Sequence, residues 1–137
     1  MLGNFFNPQT IAVIGASRTP GKVGHDILKN LIQYGYQGSI YPINPEAPEI
    51  LGLKAYPSIL DVPEKIGLAV IAVPPKSVLE VIGQCGKKGI DSAVIITAGF
   101  KESGSEGTKL EDELVRKAKE SGVRNKGPNS LLIIYYH

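Results

Sequence analysis

Thr10-Ile-Ala-Val-Ile-Gly-Ala-Ser-Arg-Thr-Pro-Gly-Lys-Val-Gly24 is the stretch that decides how this chain reads. Its first five residues are β-branched or small and apolar, the composition of a buried strand. The run breaks at Gly15 into a loop of small residues, and helical periodicity starts near Lys22. A strand, a glycine loop and a helix N-terminus in that order form a cradle for phosphate. Backbone N–H groups and the positive end of the helix dipole converge there, and glycine lets a ligand approach the chain.

Further apolar runs follow at Ile40–Ile43, Leu68–Val73 and Ala93–Thr97, with a weaker one at Leu131–Tyr136. Leu68-Ala-Val-Ile-Ala-Val73 is continuous rather than alternating, as in a parallel strand covered on both faces. Helical patterns lie between the runs. Val23, Ile27, Leu28, Leu31 and Tyr34 mark one apolar face, ended by Gly35. Val78, Leu79, Ile82 and Cys85 mark a second, opened by Pro74-Pro75 and closed around Gly86–Gly89. A third helix is predicted from the Thr108–Glu111 capping box, with Asp112–Arg116 and Glu113–Lys117 at i,i+4 spacing and Gly122 as its stop. Four prolines between Asn44 and Pro63 leave room only for a short strand near Lys54-Ala55-Tyr56 and one helical turn at Ser58–Asp61. The segment Gly99–Gly107 reads as a loop. This alternation predicts a doubly wound, mostly parallel Rossmann-like α/β sheet with helices on both faces, in the strand order 3-2-1-4-5.

Composition narrows the function. With 137 residues the chain amounts to one domain, residues 1–137, whose last stretch, 130–137, is an unusual tail. It is 42% hydrophobic and 20% charged with a net charge of +2, and its basic residues form no stripe, which argues against nucleic acid as a partner. No apolar run approaches a membrane span, and Met1–Pro8 lacks the pattern of a signal peptide. A single cysteine, Cys85, excludes an internal disulfide and points to the cytoplasm.

Ligands of an open α/β sheet bind beyond the carboxyl ends of its strands. Those ends carry Gly15-Ala16-Ser17-Arg18, Asn44-Pro45, Val73-Pro74-Pro75 and Thr97-Ala98-Gly99-Phe100. Glycines at 15, 21 and 24 are spaced more widely than in G-x-G-x-x-G, and Asn44-Pro45 stands where a nicotinamide-binding protein places its ribose-binding acid. Both points weigh against NAD(H), which stays open as an alternative for a sensor or oxidoreductase. Gly21-Lys22 is followed by Val23 rather than Ser or Thr, so a Walker loop is absent.

Taken together, Gly15-Ala-Ser-Arg…Gly21-Lys-Val-Gly24, Tyr41-Pro-Ile-Asn-Pro45, Glu49-Ile-Leu-Gly52…Tyr56-Pro-Ser-Ile-Leu60, Ala72-Val-Pro74, Ile96-Thr-Ala-Gly-Phe100 and Gly127-Pro-Asn129 resemble a known family. The ensemble is similar to the N-terminal CoA-binding domain of NDP-forming acyl-CoA synthetases. The ADP-forming acetyl-CoA synthetase α subunit is the nearer likeness and the succinyl-CoA synthetase α subunit the more distant. The resemblance covers Phe6 to Asn129. It implies that the loop formed by Gly15, Ala16, Ser17, Arg18, Lys22, Val23 and Gly24 holds the phosphorylated end of coenzyme A, with Ser17 and Lys22 as polar contacts. Asn44 and Pro45 would wall the nucleotide side, Val73, Pro74 and Pro75 would form an apolar bracket, and Thr97, Ala98 and Gly99 would line the pantetheine path.

The resemblance also implies partners that carry the phosphohistidine and the nucleotide-grasp domain of an acyl-CoA synthetase, a ligase. This chain would bind CoA as a stand-alone or shortened module, or serve as one subunit of a multi-chain enzyme, and would not turn over alone. The sequence leaves open whether its tail pairs with a second copy. Where the family often carries a lysine after Asn-Pro, this chain has Glu46-Ala47, an acid that would repel a phosphate if it pointed inward. The family's Val-Arg-Ile-Ile-Gly-Pro-Asn pattern is altered at Asn125-Lys126. His25 reads as a packing or solvent-edge residue, His137 as terminal and Cys85 as a buried structural thiol. No residue is assigned to catalysis, and the scatter of Asp61, Glu64 and Asp91 predicts no metal site.

Overall fold

Strand β1 (Thr10–Ile14) lies inside a parallel sheet, between β2 (Ser39–Ile43) and β5 (Leu68–Ile71), because its side chains are apolar on both faces. The computed structural model describes residues 9–90, 92–97, 112, 116 and 130–135. Beyond β5 the sheet continues through β6 (Ser92–Thr97) to β7 (Ser130–Tyr135), giving the order β2-β1-β5-β6-β7 with every pairing parallel.

The short strand expected near Lys54–Tyr56 is reduced to one parallel bridge between Tyr56 and Ile43. Tyr56 donates to the Pro42 carbonyl and accepts from the Asn44 N–H. Pro57 then ends the ladder because it has no N–H to offer. Numbered along the chain, the five strands of this sheet stand in the order 2-1-3-4-5 rather than the expected 3-2-1-4-5. The third, Leu68–Ile71, pairs with β1, and among the described residues the other edge of β2 meets only the Tyr56 bridge. The preceding residues form a hairpin that the sequence reading did not anticipate, β3 (Glu49–Ile50) against β4 (Leu53–Lys54). Leu51 and Gly52, with φ of 51° and 82°, make its tight turn. The turn expected at Ser58–Asp61 is a 3-10 turn over Ile59–Asp61, where Ser58 Oγ accepts from Leu60 and Asp61 from the Ser58 N–H.

Register divides the sheet into two faces. Ile11 and Val13 sit beside Leu68 and Val70, and helix α1 (Val23–Gln33) packs Leu28 onto them. Ala12, Ile14, Ala69, Ile71, Ala93 and Ile95 point the other way, toward Val78, Ile82 and Cys85 of α2 (Pro75–Lys88). The small alanines in neighbouring strands let α2 approach closely. Tyr34, placed by periodicity on the apolar stripe of α1, is instead 84% exposed. It caps the helix just before Gly35, whose φ of 75° turns the chain away. Asp112 and Arg116 are helical and exposed; the rest of the third predicted helix lies outside the described residues.

Because β1 leads leftward through α1 and β5 rightward through α2, the loops after these adjacent strands diverge. The crevice between them is the switch point of the sheet.

Candidate functional site

Gly15 opens the loop after β1 with a φ of 95°, a conformation L side chains avoid. A Cβ there would lie 2.2 Å from the Ala72 carbonyl oxygen at the end of β5. Only glycine lets the two strand ends run this close, and they are laced by Ala72 N–H to Ile14 O at 2.8 Å. Gly24, in the first turn of α1, is needed for another reason. Its Cβ would sit 1.9 Å from the Gly15 carbonyl oxygen, so the helix rests directly on the loop.

The floor of the loop is tied down by side chains. Asn44, at the end of β2, donates from Nδ2 to the Ala16 carbonyl at 2.8 Å. Its Oδ1 accepts from the N–H groups of Glu46 and Ala47 at 2.8 and 2.9 Å, which fixes the orientation of the amide. His25, buried at 6% exposure, bonds the Ser17 carbonyl through Nδ1 at 2.8 Å. A carbonyl only accepts, so this nitrogen carries the proton. Ser17 Oγ accepts from the Thr19 N–H at 3.0 Å, which leaves its hydroxyl proton free to donate outward. Arg18, Gly21 and Lys22 are exposed along the rim, and Lys22 is the residue from which α1 starts.

No side chain caps α1. Its first N–H groups and the dipole's positive end are therefore available to an anion, while the Asp26 carboxylate in the first turn accepts from the Gly21 N–H at 3.4 Å. The opposite wall differs: half-buried Val73, exposed Pro74 and half-buried Pro75 follow β5, and Pro75 begins α2. Two prolines contribute no N–H, so this wall is apolar and rigid.

Most of the sequence-derived site residues converge at this end of the sheet. Gly15, Ala16, Ser17, Arg18, Lys22, Val23 and Gly24 form one wall, Asn44 and Pro45 flank it on the β2 side, and Val73, Pro74 and Pro75 face it. Thr97 ends β6, while Ala98 and Gly99 lie outside the described residues. Glu46 is exposed behind the Asn44 turn, and Lys54 stands over the Tyr56 ring at 5.1 Å. Tyr56 in turn packs at 5.9 Å from Tyr41, whose hydroxyl is pushed up to about 12 by burial and by Glu64 beside it. Sequence reasoning assigned His25 to packing and missed that it bonds the loop. Its place in the first turn after a glycine loop was the available signal. An open groove of about 390 Å³ between Ile27, Asn30, Leu31, Tyr34 and Tyr36 lies along α1, toward its far end. Among the described residues no three His, Cys, Asp or Glu side chains gather around a point that could hold a metal.

The family model described as a CoA binding domain matches residues 9–136. The chain belongs to the CoA-binding domain family. Coenzyme A is the ligand of this domain. The chain is 51% identical over 129 residues to acetate–CoA ligase [ADP-forming] II of Archaeoglobus fulgidus, covering 94% of itself and 19% of that protein. It is 48% identical to the α subunit of acetate–CoA ligase [ADP-forming] I of Pyrococcus furiosus, covering 95% of itself and 29% of that subunit. The chain thus spans less than a third of these relatives. Among solved structures, the dinucleotide-forming acetyl-coenzyme A synthetase 1 of Ca. Korarchaeum cryptofilum, in complex with phosphate and ADP, superposes with a TM-score of 0.83. Identity there is 53%, with 94% of this chain and 27% of that one covered. No helix of the described part of this CoA-binding domain is long and apolar enough to cross a membrane.

Proposed function

We propose that CoA lies across the crevice, with its phosphates on the Gly15–Gly24 loop and the N-terminus of α1. The observation that carries this placement is the uncapped start of α1 seated on the Gly15 carbonyl at the switch point. Three demands of CoA are met there by different chemistry. The phosphates meet backbone N–H groups, the Ser17 hydroxyl, and the cations Arg18 and Lys22 on the rim. Val73, Pro74 and Pro75 form an apolar bracket, and Asn44 and Pro45 wall the nucleotide side. Thr97, at the end of β6, would open the path of the pantetheine arm, with Ala98 and Gly99 assigned to it by the resemblance alone.

In this reading the chain is the CoA-holding part of an ADP-forming acyl-CoA synthetase. Forming a thioester by way of an acyl phosphate needs a phosphoryl carrier and a nucleotide site as well. Partner domains bearing the phosphohistidine and the nucleotide grasp would supply them, and this chain contributes no catalytic residue. The nicotinamide reading is disfavoured because Asn44, in the position of the ribose acid, commits its oxygen to Glu46 and Ala47.

Calorimetric titration of the chain with CoA, dephospho-CoA and NADH tests the placement. Saturable heat with CoA, competed poorly by NADH, is expected; no heat at millimolar CoA would sink it. Acyl-CoA formation is expected only after the partner domains are added.

A further inference from the structure

We propose that Asn44 and His25 are positioning residues that set the polarity of the anion-binding loop. Each holds one loop carbonyl away from the crevice and thereby aims the following N–H into it. The proposal rests on the placement of CoA phosphates at this loop.

The peptide bonds of the described chain are all trans. In a trans peptide the C=O and the N–H of the next residue point in opposite directions. Asn44 Nδ2 holds the Ala16 carbonyl toward the β2 side at 2.8 Å, so the Ser17 N–H points to the β5 side. That side is the crevice. His25 Nδ1 holds the Ser17 carbonyl toward α1 at 2.8 Å, so the Arg18 N–H points away from that helix and toward the open side of the loop, where the crevice lies. The Gly15 carbonyl is already covered by Gly24. The carbonyls at positions 16 and 17 are thus bonded on the protein side and that at 15 is covered. What remains facing outward is the pair of N–H dipoles of Ser17 and Arg18, an arrangement that attracts an anion.

Released from these bonds, either peptide could rotate and present a carbonyl oxygen to the phosphate. One such flip converts an attractive dipole into a repulsive one. The choice of side chains follows from this demand. Asn44 serves as acceptor and donor at once, gripping its own turn with Oδ1 while Nδ2 reaches the loop. His25 offers an Nδ1–H donor to the Ser17 carbonyl from a ring held in the first turn of α1.

The test uses the 15N-labelled 137-residue chain, titrated with CoA and separately with inorganic pyrophosphate. Both amide protons, Ser17 and Arg18, should move downfield on binding. Next come two variants: His25→Asn, which keeps a donor near the Nδ1 position, and His25→Leu, which has none. H25N should bind CoA within about threefold of the parent and H25L about tenfold more weakly, the effect of one charge-assisted hydrogen bond. In H25L the Arg18 response to pyrophosphate should vanish while that of Ser17 persists, a pattern that general loosening of the fold would not produce. Should H25L fail to fold, the amide shifts of the parent and the affinity of H25N still decide. CoA binding with Ser17 and Arg18 unmoved, or H25N as weak as H25L, would overturn the positioning role and leave the placement of CoA standing. Absence of CoA binding by the parent would overturn the placement itself.

Discussion

The loops after β1 and β5 start from adjacent strands and both lead into helices that no side chain caps, yet they are built from opposite materials. The first, residues 15–22, is built on Gly15, Gly21 and small polar residues with Arg18 and Lys22 among them, and holds a single proline, Pro20. The second is Ala72-Val73-Pro74, with Pro75 already in the helix. Glycine gives backbone close approach and keeps every N–H. Proline removes the N–H and fixes φ. Hence the β1 loop offers the crevice N–H groups and cations, while the β5 loop offers rigid apolar ring surface. An asymmetric ligand, charged at one end and flexible at the other, matches that division.

Breaking the glycine wall should cost most. Gly24→Ala drives a methyl group to 1.9 Å from the backbone oxygen of Gly15, which cannot yield without moving α1. Urea denaturation should show a loss of roughly 3 kcal/mol, at the upper end of overpacking costs. Gly15→Ala combines a contact of 2.2 Å with a φ of 95° and should lose about 2–3 kcal/mol. A variant at either glycine that keeps parental stability would show that the loop and strand ends are looser than the contacts imply.

Lys22→Ala separates binding from folding. It should leave stability unchanged and weaken CoA by about 1–2 kcal/mol in calorimetry, typical of a charge-assisted contact at an exposed rim. Unchanged affinity would move the phosphates away from this loop. On the proline wall, Pro75→Ala should change stability by less than about 1 kcal/mol, since alanine tolerates the first helical position and gains only unfolded-state freedom. If P75A instead strengthened binding of inorganic phosphate, the restored N–H would be acting as a receptor and the two walls would be less distinct than drawn.

Alkaline pH probes the face behind the proline wall. Burial on α2 pushes the Cys85 thiol from 9.0 up to about 12, and Tyr41 moves from 10.0 to about 12. In both cases the fold favours the neutral, protonated form. Their contribution is complete below about pH 9 and is lost as pH rises toward 12. Urea midpoints measured between pH 8 and 11 should therefore fall. Cys85→Ala, though less stable at neutral pH, should show a shallower decline. Cys85 itself should resist thiol reagents until the protein is unfolded, because its side chain has no exposed surface.

Much of the sheet was legible because its strands are continuous apolar runs ended by glycine or proline. The edge was less so. Nothing local distinguishes a full strand at Lys54–Tyr56 from the single bridge that forms, since its extent depends on what β2 leaves to pair with. The Glu49–Lys54 hairpin was hidden because its turn places Leu51 at a positive φ, where glycine or asparagine would have signalled it. Tyr34 followed helical periodicity yet lies in solvent, because the helix ends at Gln33 and Tyr34 is already its cap as the chain turns away at Gly35. At the site, the glycines, the prolines and Asn44 were legible as residues with a place. The bonding of His25 was not: its place in the first turn after the glycine loop brought it near the loop, but a lone histidine does not name the carbonyl it will bond.

By itself the sequence determined the strand–loop–helix order, the glycine positions and the ordered motifs that place the chain in the CoA-binding family. These depend on local backbone preference and on which residues avoid water, both readable from neighbours in the chain. Tertiary structure alone decided which way the loop's peptide groups face. The donors that turn Ala16 and Ser17 stand 28 and 8 residues away, and only packing brings them within 2.8 Å.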